Sequence, residues 1–236
     1  AWDKAPAHHT IAPALYPKLD YSIQTDFIPI GIIAQPPQVV VVHPGKVEAK
    51  TLAELIEFGR KNPDKLNYGS AGNGTTHHLA GELFKLMSKA NFTHVPYRGA
   101  GPLMQDLVAG QVDLAFDGLG SSAAQIAGGK LRALAVAAPK RTAAFPDVPT
   151  AAEAGLPGYE VSTWYAMWAP KNTPPEVVEK MTAEVKKALA APMVSEAWKK
   201  NGSETPNLYG PAFGAFVNAE VARWGKVVAD ANVKPD

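Results

Sequence analysis

The stretch Asn67–Leu79, NYGSAGNGTTHHL, decides how this chain is read. Gly69-x-x-x-x-Gly74 has the spacing of a phosphate-binding turn, and Thr76 stands where such turns carry Ser or Thr, but the lysine position is Thr75. A glycine turn between a strand and a helix leaves the first helix amides unpaired, at the end carrying partial positive charge. Gly72 and Gly74 permit positive φ and close approach of a ligand, and Ser70, Thr75 and Thr76 add hydroxyls. Without a lysine, a triphosphate would keep most of its charge uncompensated. A carboxylate needs only two or three donors. Hydrogen bonds to a charged group contribute ~1.5–3 kcal/mol each, so three or four give roughly 5–12 kcal/mol gross. That suffices for micromolar binding, about −8 kcal/mol, once ordering costs are deducted. The same spacing also fits a glycine-rich strand–helix turn capped by threonines, with no ligand.

Outward from this loop, strands and helices alternate. Val39–Val42 is a β-branched run between prolines and reads as a buried strand. Thr51 and Glu54 form a capping box that opens a helix. LNYGS is a strand ending in the glycine turn, and Leu79, Leu83, Leu86 and Ala90 make one stripe of the helix that follows. FTHVPY, QVDLAFDG and KLRALAV are further strands; GPLMQDLVAG, with Pro102 in its first turn and Gly110 at its end, and SSAAQIAGG are the helices between them. This order predicts an α/β sheet of mostly parallel strands. Thr150 and Glu153 make a second capping box. VSTWYAMWAP reads as a strand, and its aromatics Trp164, Tyr165 and Trp168 as core or hinge packing. TPPEVVEKMTAEVKKALAAP is a helix expected to start with Thr173 as cap, Pro174 in the first turn and Glu176 completing a box. MVSEAWKKNG and GPAFGAFVNAEVARWGKVVADA are two more helices, so the C-terminal third lacks the strands its helices should cover.

The composition bounds the function. The 236 residues are 46% hydrophobic and 19% charged, as in a packed globular protein. A formal net charge of +1 argues against a nucleic-acid surface. The absence of cysteine excludes disulfides, thiolate metal sites and a cysteine nucleophile. No apolar run approaches ~20 residues, and the opening AWDKAPAHHT shows neither the charged region nor the apolar run of a signal peptide. Neither a metal nor a cofactor is expected. The histidines His8, His9, His43, His77, His78 and His94 lack the i, i+4 spacing of a zinc helix, and one of the neighbours His77 and His78 should face solvent. Enzyme readings fail on spacing. YGSAG places Tyr68 where a nucleophile elbow around Ser70 needs glycine, and His77 stands where a dinucleotide fingerprint needs its last glycine. Asp117-Gly118 ends a strand whose tip points at the crevice of the glycine loop; Asp117 there can order water, cap a turn or bind a ligand amine, or simply form an Asx turn. Arg98 in Tyr97-Arg98-Gly99 is read as a solvated rim residue.

LNYGSAGNGTTHHLAGELF, VPYRGAGPLMQDLVAGQVDLAFDG, GKLRALAV, RTAAFPDVPTAAEAGLPGYEV and WYAMWAPKNTPPEVVEKM together resemble the periplasmic receptors of tripartite tricarboxylate transporters, the Bug receptors. The resemblance covers nearly the whole chain in the family's order and spacing. It implies a two-lobed type II periplasmic binding-protein fold of the Venus-flytrap kind, no enzymatic activity, and a periplasmic location. It also implies a small organic acid as ligand, a mono- or dicarboxylate, aromatic acids included, delivered to membrane permease subunits. A ligand-responsive sensor partner without transport is the alternative. The family's distal carboxylate loop maps onto Ser70, Ala71, Gly72, Gly74, Thr75 and Thr76, and its cleft-facing strand tip onto Asp117-Gly118. In HTIAPALYPKL, His9 and Pro13 match while Ala12 replaces an asparagine, and Lys4 and His8 stand near the place of a hydroxyl-bearing loop. Family members carry about two βα units upstream, ~15–30 residues each, with a second cleft loop. Lobe 1, expected at 1–41 and 162–236, should therefore lack its N-terminal strands and tend to self-associate. Lobe 2 is expected at 42–161, with crossovers near VVVVHP and VSTWYAMW.

Overall fold

The computed structural model describes residues 6–16, 18–203 and 207–234. In chain order the elements are α1 (Pro6–Leu15), β1 (Phe27–Ala34), β2 (Gln38–Val42), α2 (Leu52–Lys61), β3 (Asn67–Ser70), α3 (Thr76–Ser88), β4 (Thr93–Pro96) and α4 (Ala100–Val108). They continue with β5 (Leu114–Gly118), α5 (Leu119–Ala127), β6 (Arg132–Val136), β7 (Tyr165–Pro170), α6 (Pro175–Ala190), α7 (Pro192–Lys200) and α8 (Gly210–Asp230).

The valine run at β2 is buried on both faces. Val40 and Val42 pack into a core with α2, α3 and Tyr68, while Val39 and Val41 pack into a second core with Leu103 and Leu107 of α4. Alternate side chains of a strand point to opposite faces, so a strand covered on both sides is apolar at every position. The sheet has order β4-β3-β5-β2-β6. β3 runs parallel to β4 and β5, while β2 is antiparallel to both β5 and β6, so the sheet is mostly parallel, as expected, with β2 as the reversed strand. The chain reaches β2 from the other sheet, beside the C-terminal tip of β5, where Gln38 pairs with Gly118. The strand can only run away from that edge, while β3 to β6 return toward it.

The second sheet is β1 paired antiparallel with β7. Among the described residues it has two strands, onto which α6 and α8 pack. Ile32, Trp164, Phe213 and Val217 form its core. Pro29 and Gly31 interrupt the apolar run of β1, and the pairing is irregular there; Gly31 has no Cβ because the Tyr209 ring occupies its place. The chain leaves this sheet at Ala34 and enters the larger one at Gln38, a few residues before the VVVVHP stretch where the crossing was expected. Two ties clamp the crossing segments: Gln35 Nε2 donates to Ser162 Oγ (2.8 Å) and Gln38 Nε2 to Thr163 Oγ1 (2.5 Å).

Helix ends follow local chemistry with two differences. The Thr150–Glu153 box forms reciprocally, each main-chain N–H donating to the other's side chain, but it closes a turn and not an α-helix. α6 starts at Pro175 with Pro174 as its cap and no side-chain capping bond, so Thr173 does not take the predicted role. Consecutive prolines fix the entry by their locked φ alone.

Candidate functional site

The loop after β3 is organised from beneath by two stacked histidines. Ser70 is fully buried, accepts from the Gly72 amide (3.1 Å), and lies 2.6 Å from Nε2 of His94 on β4. Its own hydroxyl donates to Gly72 O (3.1 Å). These contacts are satisfied together when His94 carries its proton on Nε2. The His94 ring stacks on His78 of α3 at 3.9 Å between centroids and on Tyr68 at 4.8 Å. Burial, then the nearby His78 and Lys85 charges, push His94 down to about 3, so it is neutral. His78 Nδ1 accepts from the Gly74 amide (3.1 Å), and its main-chain N–H donates to Thr75 Oγ1 (3.3 Å), which caps α3. Neither His77 nor His78 faces solvent: their side chains are 12% and 9% exposed, which corrects the expectation that one would. The sequence offered no base for Ser70; the structure supplies His94, but a hydroxyl with no exposure cannot attack a substrate.

This packing divides the loop's donors. The Gly72, Gly74 and Thr75 amides are used internally, by Ser70 Oγ, His78 Nδ1 and Gly72 O respectively. Gly74, at φ 69°, is also covered by Leu15 of α1, whose Cδ1 lies 2.5 Å from where a Cβ would stand. The amides of Ala71, Thr76 and His77 have no hydrogen-bond partner among the described residues. The hydroxyl of Thr76 likewise bonds to no described residue, although Thr76 is nearly buried. Donors therefore remain at the first turn of α3, displaced by about two residues from the glycines.

His77, in that first turn, lines a cavity of about 670 Å3 between the two sheets. Ile33 and Ala34 of β1 and Tyr165 and Ala166 of β7 form one wall; His77, Gly118 and Ser121 form the other. A volume of this size suits a small molecule. Behind the wall, Asp117 is fully buried at the tip of β5. Its Oδ1 lies 3.0 Å from His77 Nε2, and its Oδ2 accepts from Ser121 Oγ (2.6 Å). Burial, with the Asp117 charge adding to it, raises the pKa of Tyr165, so its phenol remains a donor. Tyr165 is 41% exposed, a cavity residue and not the packing residue expected.

Of the residues singled out from sequence, Gly118 lines the cavity and Asp117 backs it. Ser70, Ala71, Gly72, Gly74, Thr75 and Thr76 form the turn that leads to it without lining it. His9 is placed elsewhere: its Nδ1 is 2.8 Å from the Tyr21 hydroxyl and its ring meets Trp168 edge-on at 6.2 Å. Lys4 and the side chain of His8 lie outside the described residues. Arg98 is exposed, as expected for a rim residue. Sequence reasoning passed over His77, Ser121, Thr163 and Trp198, which line the cavity; Ser121, four residues after Asp117 on the following helix, was the one signal available. A second hollow, about 580 Å3, is rimmed by Lys140, Arg141, Lys199 and Arg223. Arg141 is paired with Glu153 (2.8 Å), and Arg223 lies 3.6 Å from Glu220 and donates to Glu160 O. Among the described residues no three His, Asp or Glu side chains converge as metal ligands, and no helix is long and apolar enough to cross a membrane.

Known proteins share this architecture. A protein of Pseudomonas sp. (strain P51), described by its place in the tcbD-tcbE intergenic region, is 41% identical over 216 residues; the match takes in 91% of this chain and 64% of that relative. The chain thus spans under two thirds of that curated relative's length. An R. palustris protein, Rpa4515, solved with adipate, superposes with a TM-score of 0.88 at 35% identity, over 98% of this chain and 77% of that one. The periplasmic binding protein BugD superposes with a TM-score of 0.89 at 36% identity and the same coverage. The fold is therefore the two-lobed α/β fold of these periplasmic binding proteins, and the family is one of receptors, not enzymes. With a match to the family model over residues 4–233, the chain belongs to the tripartite tricarboxylate transporter family receptors.

Proposed function

We propose that the chain captures a small organic carboxylate in the cavity between its two sheets, in the periplasm, and presents it to the membrane permease of a tripartite tricarboxylate-type transporter. One observation carries this reading: the unpaired Thr76 and His77 amides stand at the start of α3, and His77 lines the cavity. A helix start with open amides favours an anion. The other hollow is less suitable, because Arg141 and Arg223 on its rim are already paired with glutamates. The adipate held by the R. palustris relative is a carboxylate of fitting size. In this reading, lobe 2 runs from Gln38 to Val161, and the Gln35–Ser162 and Gln38–Thr163 ties mark the hinge on which the lobes close.

The test is thermal unfolding of the chain with a panel of organic acids against neutral sugars and amides. A ligand at a hundred times its Kd adds about 2.7 kcal/mol, which for a domain of this size raises Tm by roughly 5–10 °C. A panel in which no acid raises Tm contradicts the reading.

A further inference from the structure

We propose that the cavity selects a monocarboxylate with an apolar, ring-sized body, and that the His77 imidazole, held by Asp117, is the side chain that grips its carboxylate. The inference rests on the carboxylate-capture reading and narrows it. Among the described residues, no lysine or arginine lines the cavity. Ile33, Ala34, Ala166 and Trp198 make much of its wall apolar. The groups that can meet a charge, His77, Ser121 and Tyr165, gather near Asp117. Asn201 and Ser203 offer only a neutral amide and hydroxyl elsewhere on the wall. A second carboxylate would lose its hydration and meet too few donors there, and burying a charge without enough hydrogen bonds is strongly unfavourable. An apolar ring gains by burial against Trp198 and Ile33.

Both oxygens of Asp117 are occupied, Oδ1 by His77 and Oδ2 by Ser121, so Asp117 orients the ring and is not open to a ligand amine. With Nε2 turned to Asp117, Nδ1 of His77 has no partner among the described residues. In a neutral ring whose proton lies on Nε2, Nδ1 is an acceptor and repels a carboxylate; in the doubly protonated ring it donates. A carboxylate is therefore gripped through Nδ1 by the form of the ring that carries a proton there. The charged group that meets His77 is Asp117 of β5.

The experiment is calorimetric titration of the chain with benzoate, adipate and citrate. Benzoate is expected to bind at least tenfold more tightly than either other acid. His77→Gln, which keeps a donor for Asp117, should weaken benzoate about tenfold. Adipate or citrate binding more tightly than benzoate overturns the inference and leaves carboxylate capture standing, whereas failure of all three acids overturns both. Benzoate binding as tightly to the glutamine variant as to the parent removes His77 from the grip and overturns the inference.

Discussion

Ser70 Oγ and His94 Nε2, 24 residues apart in sequence, lie 2.6 Å apart beneath the loop that starts α3. The contact makes the loop's shape depend on a neutral histidine. Burial holds His94 down at about 3 in the folded chain, against about 6.5 for an unfolded histidine. A lowered folded value means the unfolded state binds the extra proton first. The stability is fully present above pH 6.5 and is lost as pH falls toward 3. Its slope reaches at most about 1.4 kcal/mol per pH unit, reduced because the ring is not wholly enclosed and solvent screens it. Urea unfolding between pH 7 and pH 4.5 should show this slope, and His94→Gln should flatten it. An equal slope in the variant would show that another group controls the acid limb.

Gly74 and Thr75 hold the loop together as well as leading to the site. Thr75→Val removes the α3 cap and should cost about 1 kcal/mol. Gly74→Ala forces a Cβ onto Leu15 at a positive φ and should cost a further 1–3 kcal/mol or so. The double variant is therefore expected to lose stability along with binding. Chemical denaturation of each single variant checks these values; a Gly74→Ala chain as stable as the parent would mean that Leu15 does not cover the loop.

Glu220 of α8 ties two cores together. It is 8% exposed, and its Oε2 accepts from Trp224 Nε1 (2.9 Å), in the core of the larger sheet, and from Trp164 Nε1 (3.3 Å), in the core of the smaller one. Glu220→Ala leaves two buried indole donors unpaired, at about 1–3 kcal/mol each. Denaturation should show a loss of roughly 2–5 kcal/mol, with Glu220→Gln retaining much of the stability. A loss below about 0.5 kcal/mol for the alanine variant would place the coupling between the lobes elsewhere.

The larger sheet was legible because its signals are local. Val39–Val42 announces a doubly buried strand, and the glycine turn marks where β3 gives way to α3. The direction of β2 was not legible, since a run of valines is apolar whichever way it runs, and direction follows from where the chain enters the sheet. α1 and β1 were hidden by Pro13, Pro29 and Gly31, whose places are settled by tertiary contacts such as the Tyr209 ring over Gly31. The glycine spacing marks a turn that can present amides, yet which amides stay open depends on His94 and His78, and spacing within the loop carries no information about either ring. His77 went unnoticed because its partner, Asp117, is 40 residues away.

The central claim is that a carboxylate is held at the first turn of α3. A crystal structure of the chain grown with adipate or benzoate tests it most directly. The account predicts a carboxylate oxygen within about 3.2 Å of the Thr76 or His77 main-chain nitrogen, in the cavity walled by His77 and Tyr165. A carboxylate seated instead beside Lys140, Lys199 and Arg223 in the other hollow would contradict it.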